Sequence, residues 1–304
     1  MTAGVTSQNR SPAVMNRRIE PPDSLDDFPT PPWATRVLFE HVLIPAGADV
    51  PRLSVWEPAC NRGHMAAPIA EYAPHVLATD IADYSGAVDL SPHWVRSGVR
   101  ADGVLDFTDG RATGRSAYEA RFRCPPGLLE PPERWVITNP PFNAAVAFHA
   151  AGAGLGAHMA FFLRTSFVES ETRYETLFAP HADPPAIIAH FAERVCLLKG
   201  RLVRKDAIDP FHRDNPDPAL PAGVKPKDHR ASTATSYAWF IWNRAWREAF
   251  GGTRTVWIPK GAMAACERPG DYPDYPPGYF TQSEAGVAPD MAPPPVSAQT
   301  ELFI

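Results

Sequence analysis

Apolar residues in this chain come in short runs separated by polar and Pro-rich stretches, and the period alternates between two and about 3.6 residues. Extended runs predict strands over 53–57, 75–81, 103–107, 134–138, Met159–Arg164, Ala186–Lys199 with an internal break, Thr235–Asn243 and Arg254–Ile258. Helical spacing covers Ala34–Leu43, 64–73, 143–153 and 170–179. Thr30 suits the N-cap of the first helix with Pro31 at its first position, and Ser166 or Ser170 suits the cap of the last. Strands alternating with helices predict an α/β fold built on a mainly parallel sheet with helices on both faces and loop insertions. Ligands of such sheets sit beyond the carboxyl ends of the strands, which is where Glu57, Asp80, Asp106 and Asn139 fall. The large alternating residues Tyr237 and Trp239 read as core strand, with stacking against a ligand as the less favoured alternative.

Composition sharpens the boundaries. Proline makes up 35 of 304 residues, about twice its usual share, and it is clustered. Residues 1–26 are expected to form a disordered N-terminal tail and 261–304 a Pro-rich C-terminal one, leaving a domain over 27–260. The Arg-, Gly- and Pro-rich stretch 108–133 reads as an insertion. No apolar run reaches membrane-spanning length, and residues 1–18 lack the apolar stretch of a secretion signal, so a cytoplasmic location is expected. Cys60, Cys124, Cys196 and Cys266 are too scattered for a zinc or disulfide framework, so reduced thiols and no metal are expected. The net charge is −5, but Arg194–Arg230 holds nine Lys or Arg against five Asp. A basic segment on an otherwise acidic chain is what a nucleic-acid backbone patch requires, and a solvated loop of mixed charge is the alternative.

The most specific chemistry lies in Asn139-Pro140-Pro141-Phe142, directly after a strand. The lone pair of an amine on a planar base or an amide is delocalised, so the nitrogen is a poor nucleophile. The Asn139 carbonyl and the Pro140 carbonyl can accept hydrogen bonds from one such NH2 group and draw it toward a tetrahedral geometry. The two prolines stiffen the loop, and Phe142 offers a flat stacking surface. Upstream, Glu57-Pro58-Ala59 ends a strand and leads through Asn61 and Gly63 into a helix, a turn in which backbone N–H groups face a ligand. Asp80, with Ile81 beside it, ends the next strand ~20 residues later, where an acid accepts ribose hydroxyls in nucleotide folds.

These motifs, in this order, resemble S-adenosylmethionine-dependent amino-methyltransferases, above all the small phage and prophage DNA adenine-N6 type, over residues 27–260. The resemblance implies a class I, Rossmann-like domain with a seven-stranded sheet and S-adenosyl-L-methionine as cofactor. It implies catalytic Asn139, Pro140, Pro141 and Phe142, and a segment Phe28, Thr30, Pro31 that closes over the methionine end of the cofactor. Asp106 and Phe107 would hold the cofactor's adenine, while Arg194, Lys199 and Arg201 in the loop 200–231 and its flank would contact phosphates of DNA. The chain departs from the family at Asn61, where a glycine is usual, but Asn tolerates the left-handed conformation best among other residues. Methylation of a protein glutamine amide, methylation of an RNA base amine, and cofactor binding without catalysis are the alternatives. At the C-terminus, Gln299, Leu302 and Phe303 after a Pro-rich spacer resemble a peptide that docks on the bacterial DNA sliding clamp.

Overall fold

The computed structural model describes residues 26–87, 89–91, 103–109, 133–209 and 230–275. Eight strands form one sheet: β1 (Leu53–Glu57), β2 (His75–Asp80), β3 (Gly103–Val104), β4 (Glu133–Thr138), β5 (His158–Arg164), β6 (Ile187–Phe191), β7 (Tyr237–Trp242) and β8 (Arg254–Ile258). Their spatial order is β3-β2-β1-β4-β5-β7-β6-β8. All neighbours are parallel except β7, which runs antiparallel to both β5 and β6. The result is an α/β, mostly parallel mixed sheet, compatible with a Rossmann-like fold. It has eight strands where the family resemblance implied seven, because β8 adds to the outer edge of β6.

Side-chain alternation divides the core in two. On one face Val55, Trp135, Ile137, Phe162, Trp239 and Ile241 pack beneath α1 (Pro32–Leu38), whose Trp33, Val37 and Leu38 are fully covered. On the other, Trp56, Val136, Phe161, Leu163, Phe240 and Trp242 pack against α3 (Ala145–Gly154) through Ala145 and Phe148. Strands buried on both faces need a continuous apolar sequence, which is why these runs stand out so clearly.

Several boundaries differ from expectation, each for a local reason. Helix α1 starts at Pro32 with Pro31 as its N-cap, so Thr30 caps nothing; a residue before proline is pushed to extended backbone, and Pro31 has ψ 134. The helix expected over 64–73 shrinks to α2 (Ala66–Ile69), since the Pro68 ring conflicts with a regular turn through residue 64. The helix expected over 170–179 is split into α4 (Glu171–Arg173) and a wider π turn over Tyr174–Phe178, capped by the Ser170 side chain accepting from the Arg173 N–H. The long strand expected over 186–199 ends at Phe191, and over the rest of that range only an isolated bridge between Leu198 and Arg201 is extended pairing.

Two helices were not anticipated: α5 (Arg244–Phe250) and α6 (Ala262–Cys266). Helix α6 and Asp271 belong to the packed domain although the tail was expected to start at 261. The buried Arg36 guanidinium bridges Glu71, Asp271 and the Cys266 carbonyl. Among the described residues no helix is long and apolar enough to cross a membrane. The N-terminal tail to residue 25, most of the insertion, residues 210–229, Cys124 and Gln299, Leu302 and Phe303 lie outside the described residues.

Candidate functional site

The strand order reverses direction between β1 and β4, which opens a crevice at their carboxyl ends. A cavity of about 1030 Å³ fills it. Glu57 and Asp80 reach it from the ends of β1 and β2, Asp106 and Phe107 from the turn after β3, and Asn139, Pro141 and Phe142 from the loop after β4. Phe28, Thr30, Pro58, Ala59, Asn61 and Ile81 complete the part of the lining that the sequence pointed to. Pro31, Gly63 and Pro140 support these loops without lining the cavity. Arg194, Lys199 and Arg201 do not line it either.

The turn after β1 forms as its sequence requires. Asn61 has φ 49 and Gly63 φ 81, so Asn61 takes up the left-handed backbone that a glycine would adopt without strain. Its N–H donates to Asp80 Oδ2 at 2.8 Å, and Ala82 N–H donates to Oδ1 at 3.0 Å. Burial nevertheless pushes the Asp80 carboxyl up to about 6, with these backbone donors opposing the rise. Glu57 is wholly buried; its Oε1 accepts from the Thr138 hydroxyl at 2.6 Å and from Ala59 N–H at 3.1 Å. Burial raises Glu57 to about 8 against those two bonds, so at neutral pH it is mostly an uncharged acid.

Asn139 is oriented by the N-terminal segment. Its Nδ2 donates to the Phe28 carbonyl and to Thr30 Oγ1, both at 3.0 Å. A backbone carbonyl can only accept, so the amide cannot be flipped, and Oδ1 is directed away from that segment. Thr30 therefore fixes a side chain of the tetrad instead of capping a helix. Phe142 is anchored by its N–H to Asp26 Oδ2 at 2.7 Å, and its ring leans on Phe28 at 5.6 Å and lies nearly parallel to Tyr237 at 6.3 Å.

Buried polar atoms without partners occur elsewhere, at Thr35, Ser54 and Ser91 among others, but four of them gather at this cavity. Glu57 Oε2, both ring nitrogens of His64 and Asn139 Oδ1 are buried and complete no hydrogen bond among the described residues. All three residues line the same cavity. Unmet buried polar groups cost on the order of 1–3 kcal/mol each, so a cluster of them is what a polar ligand would relieve. His64 is 2% exposed; burial, then the Arg62 charge, lowers it to about 3, with the Asp89 backbone working the other way. It is a neutral imidazole with one donor and one acceptor to offer.

Sequence reasoning missed His64 and Arg62, and it read Tyr237 first as core with stacking as the second choice. Arg62 grips both oxygens of Asp27 at 2.7 and 2.8 Å, pairs with Asp89 at 2.7 Å and donates to the Gly200 carbonyl at 3.0 Å. It thus ties the N-terminal segment and the loop after β6 to the turn after β1. Tyr237 reaches the site because β7 is antiparallel: its first residue stands opposite Arg164, the last of β5. Cys60 is buried, consistent with a packing role.

No protein-family model matches this chain, and no curated protein matches it.

Among the described residues of the basic segment, no Lys or Arg lines the cavity. Arg201 makes a two-pronged bond to Asp209 at 2.9 and 2.7 Å, and Arg204 does the same to Glu267. Arg194 donates to the Ala234 carbonyl at 2.6 Å. What this stretch contributes to the cavity wall is apolar and polar: Leu197, Leu198 and Ser232 to Thr235.

Proposed function

We propose that this protein is an S-adenosylmethionine-dependent amino-methyltransferase of the class I type, acting on DNA and forming N6-methyladenine on a base flipped out of the helix. The observation that carries the reading is the Asn139 amide, whose NH2 is tied to Phe28 and Thr30 while its Oδ1 has no protein partner at the edge of the cavity. An acceptor fixed in this way is what an exocyclic amine needs to lose conjugation with its ring.

The cavity suits the cofactor in size and charge. S-adenosylmethionine, when bound, supplies an electrophilic methyl group on a sulfonium centre and also carries an ammonium. Asp26, Glu57, Asp80 and Asp106 line the walls against a single Lys or Arg among the described lining residues, Arg164. Asp80 would accept the ribose hydroxyls, Asp106 and Phe107 would hold the adenine, and Glu57 Oε2 with His64 would meet the polar methionine end. The reversal of strand order between β1 and β4 supports a nucleotide in this crevice. Phe142 and Tyr237 offer aromatic faces to a planar acceptor, which favours a base over an aliphatic amide. Asn139 needs no basicity, because the product ammonium loses its proton to water. DNA from cells expressing the protein, digested to nucleosides and analysed by mass spectrometry, should contain N6-methyladenine absent from vector controls. Methylation confined to RNA or to protein glutamine would reject the DNA reading.

A further inference from the structure

Arg164 stands at the carboxyl end of β5, exposed, with its guanidinium carbon 3.9 Å from the centre of the Phe142 ring. That places the cation over the face of the ring. It lies beside the Tyr237 hydroxyl, to which its strand register brings it. The guanidinium therefore covers an aromatic face that the acceptor would need. The other arginines of this region differ in kind. Arg201 and Arg204 are each spent on a carboxylate in a bidentate bond, and Arg194, held through Nη1 by the Ala234 carbonyl and the Ser236 hydroxyl, does not line the cavity. Arg164 is held by a ring face and a hydroxyl, so most of its five coplanar donors remain for another partner.

Resting on the amino-methyltransferase reading of the cavity, we propose that Arg164 is the residue that binds the acceptor strand: it occupies Phe142 until a flat base enters, yields the ring face to that base, and turns its guanidinium to a phosphate of the same strand. Three features support it. A nucleobase stacks on an aromatic ring more strongly than an exposed guanidinium does, so the exchange is downhill. A cavity wall carrying Asp26, Asp80 and Asp106 beside the neutral Glu57 repels a polyanion unless a cation stands at its edge, and Arg164 is the Lys or Arg that lines it among the described residues. The fork geometry of arginine matches a phosphate, which a lysine meets only as a point charge.

The test uses the full chain as wild type, Arg164→Gln and Arg164→Lys, with binding of a labelled unmodified duplex followed from about 50 to 200 mM salt. Arg164→Gln should bind about tenfold more weakly at low salt and lower the slope of log affinity against log salt by about one, the value of one lost phosphate contact. Arg164→Lys should keep most of the slope, and all three proteins should bind S-adenosylmethionine equally. A wild-type slope in Arg164→Gln, or the same loss in Arg164→Lys as in Arg164→Gln, would overturn the proposal. Methyl transfer by the wild type to the same duplex separates the two readings. Slope loss without any transfer keeps the phosphate contact and rejects the enzyme, whereas a wild type that does not bind the duplex rejects both.

Discussion

The loop Asn139–Phe142 and the stretch 197–209 border the same cavity and treat their polar groups in opposite ways. The first holds Asn139 by its NH2 and leaves Oδ1 buried and unmet, at an energetic cost. The second pairs its arginines with carboxylates, Arg201 with Asp209 and Arg204 with Glu267, and turns Leu197 and Leu198 to the cavity. Incomplete satisfaction in a folded domain points to a ligand, and complete satisfaction points to architecture. A motif rich in charge can therefore be structural, while a motif of one amide and two prolines is the one left open to a ligand.

The largest test of this contrast is Asn139→Ala, which should lower the rate of methyl transfer by ~10²-fold or more in single-turnover assays while cofactor affinity stays near wild type. Near-normal turnover would remove Asn139 from the reaction. Thr30→Val should cost about tenfold or less, because the Phe28 carbonyl still holds the amide. A loss as large as that of Asn139→Ala would mean that Thr30 touches a substrate itself.

A smaller, graded effect concerns pH. Asp80 and Glu57 are raised by burial to about 6 and about 8, so the folded protein binds more protons than the unfolded chain between those values and their ordinary ones. Stability without ligand should therefore be full below pH ~4 and fall as pH rises toward 8, and Glu57→Gln should flatten most of that fall in chemical denaturation. Cofactor affinity should move oppositely and rise from pH 5.5 to 8, because ionised Asp80 and Glu57 accept better from a cationic, hydroxyl-bearing ligand. Parallel trends would contradict the ligand assignment. The smallest expected change is in DNA binding by the double variant Arg201→Gln, Arg204→Gln. Its salt slope should stay within experimental error of wild type, with the loss appearing as stability of about 2 kcal/mol from the Arg201 pair. A slope reduced by two would return phosphate binding to this loop.

Much of this arrangement is legible in the chain because it is local. Strands buried on both faces require unbroken apolar runs, and the turn residues Asn61 and Gly63 sit where positive φ demands them. The illegible parts depend on distance or direction. Arg62 finds Asp27 thirty-five residues away, and nothing in either segment announces the pair. Tyr237 looks like any core residue until β7 is known to run antiparallel. Helix α5 carries usable end signals, the Asn243 side chain accepting from Trp246 N–H and Gly251 at φ 72. It has no fully buried residue, so it lacks the apolar stripe that would have revealed it. Thr30 was legible as important but not as what it is, because its partner is Asn139 across the fold and not its own helix.

The central claim is that the unmet polar atoms of Glu57, His64 and Asn139, beside Asp80 at the end of β2, form a cofactor site, and titration calorimetry with S-adenosylmethionine tests it most directly. Wild type should bind one equivalent, and Asp80→Ala should bind roughly 10- to 100-fold more weakly, the worth of hydrogen bonds to a charged acceptor. No heat of binding by the wild type, or equal affinity in Asp80→Ala, would contradict the account.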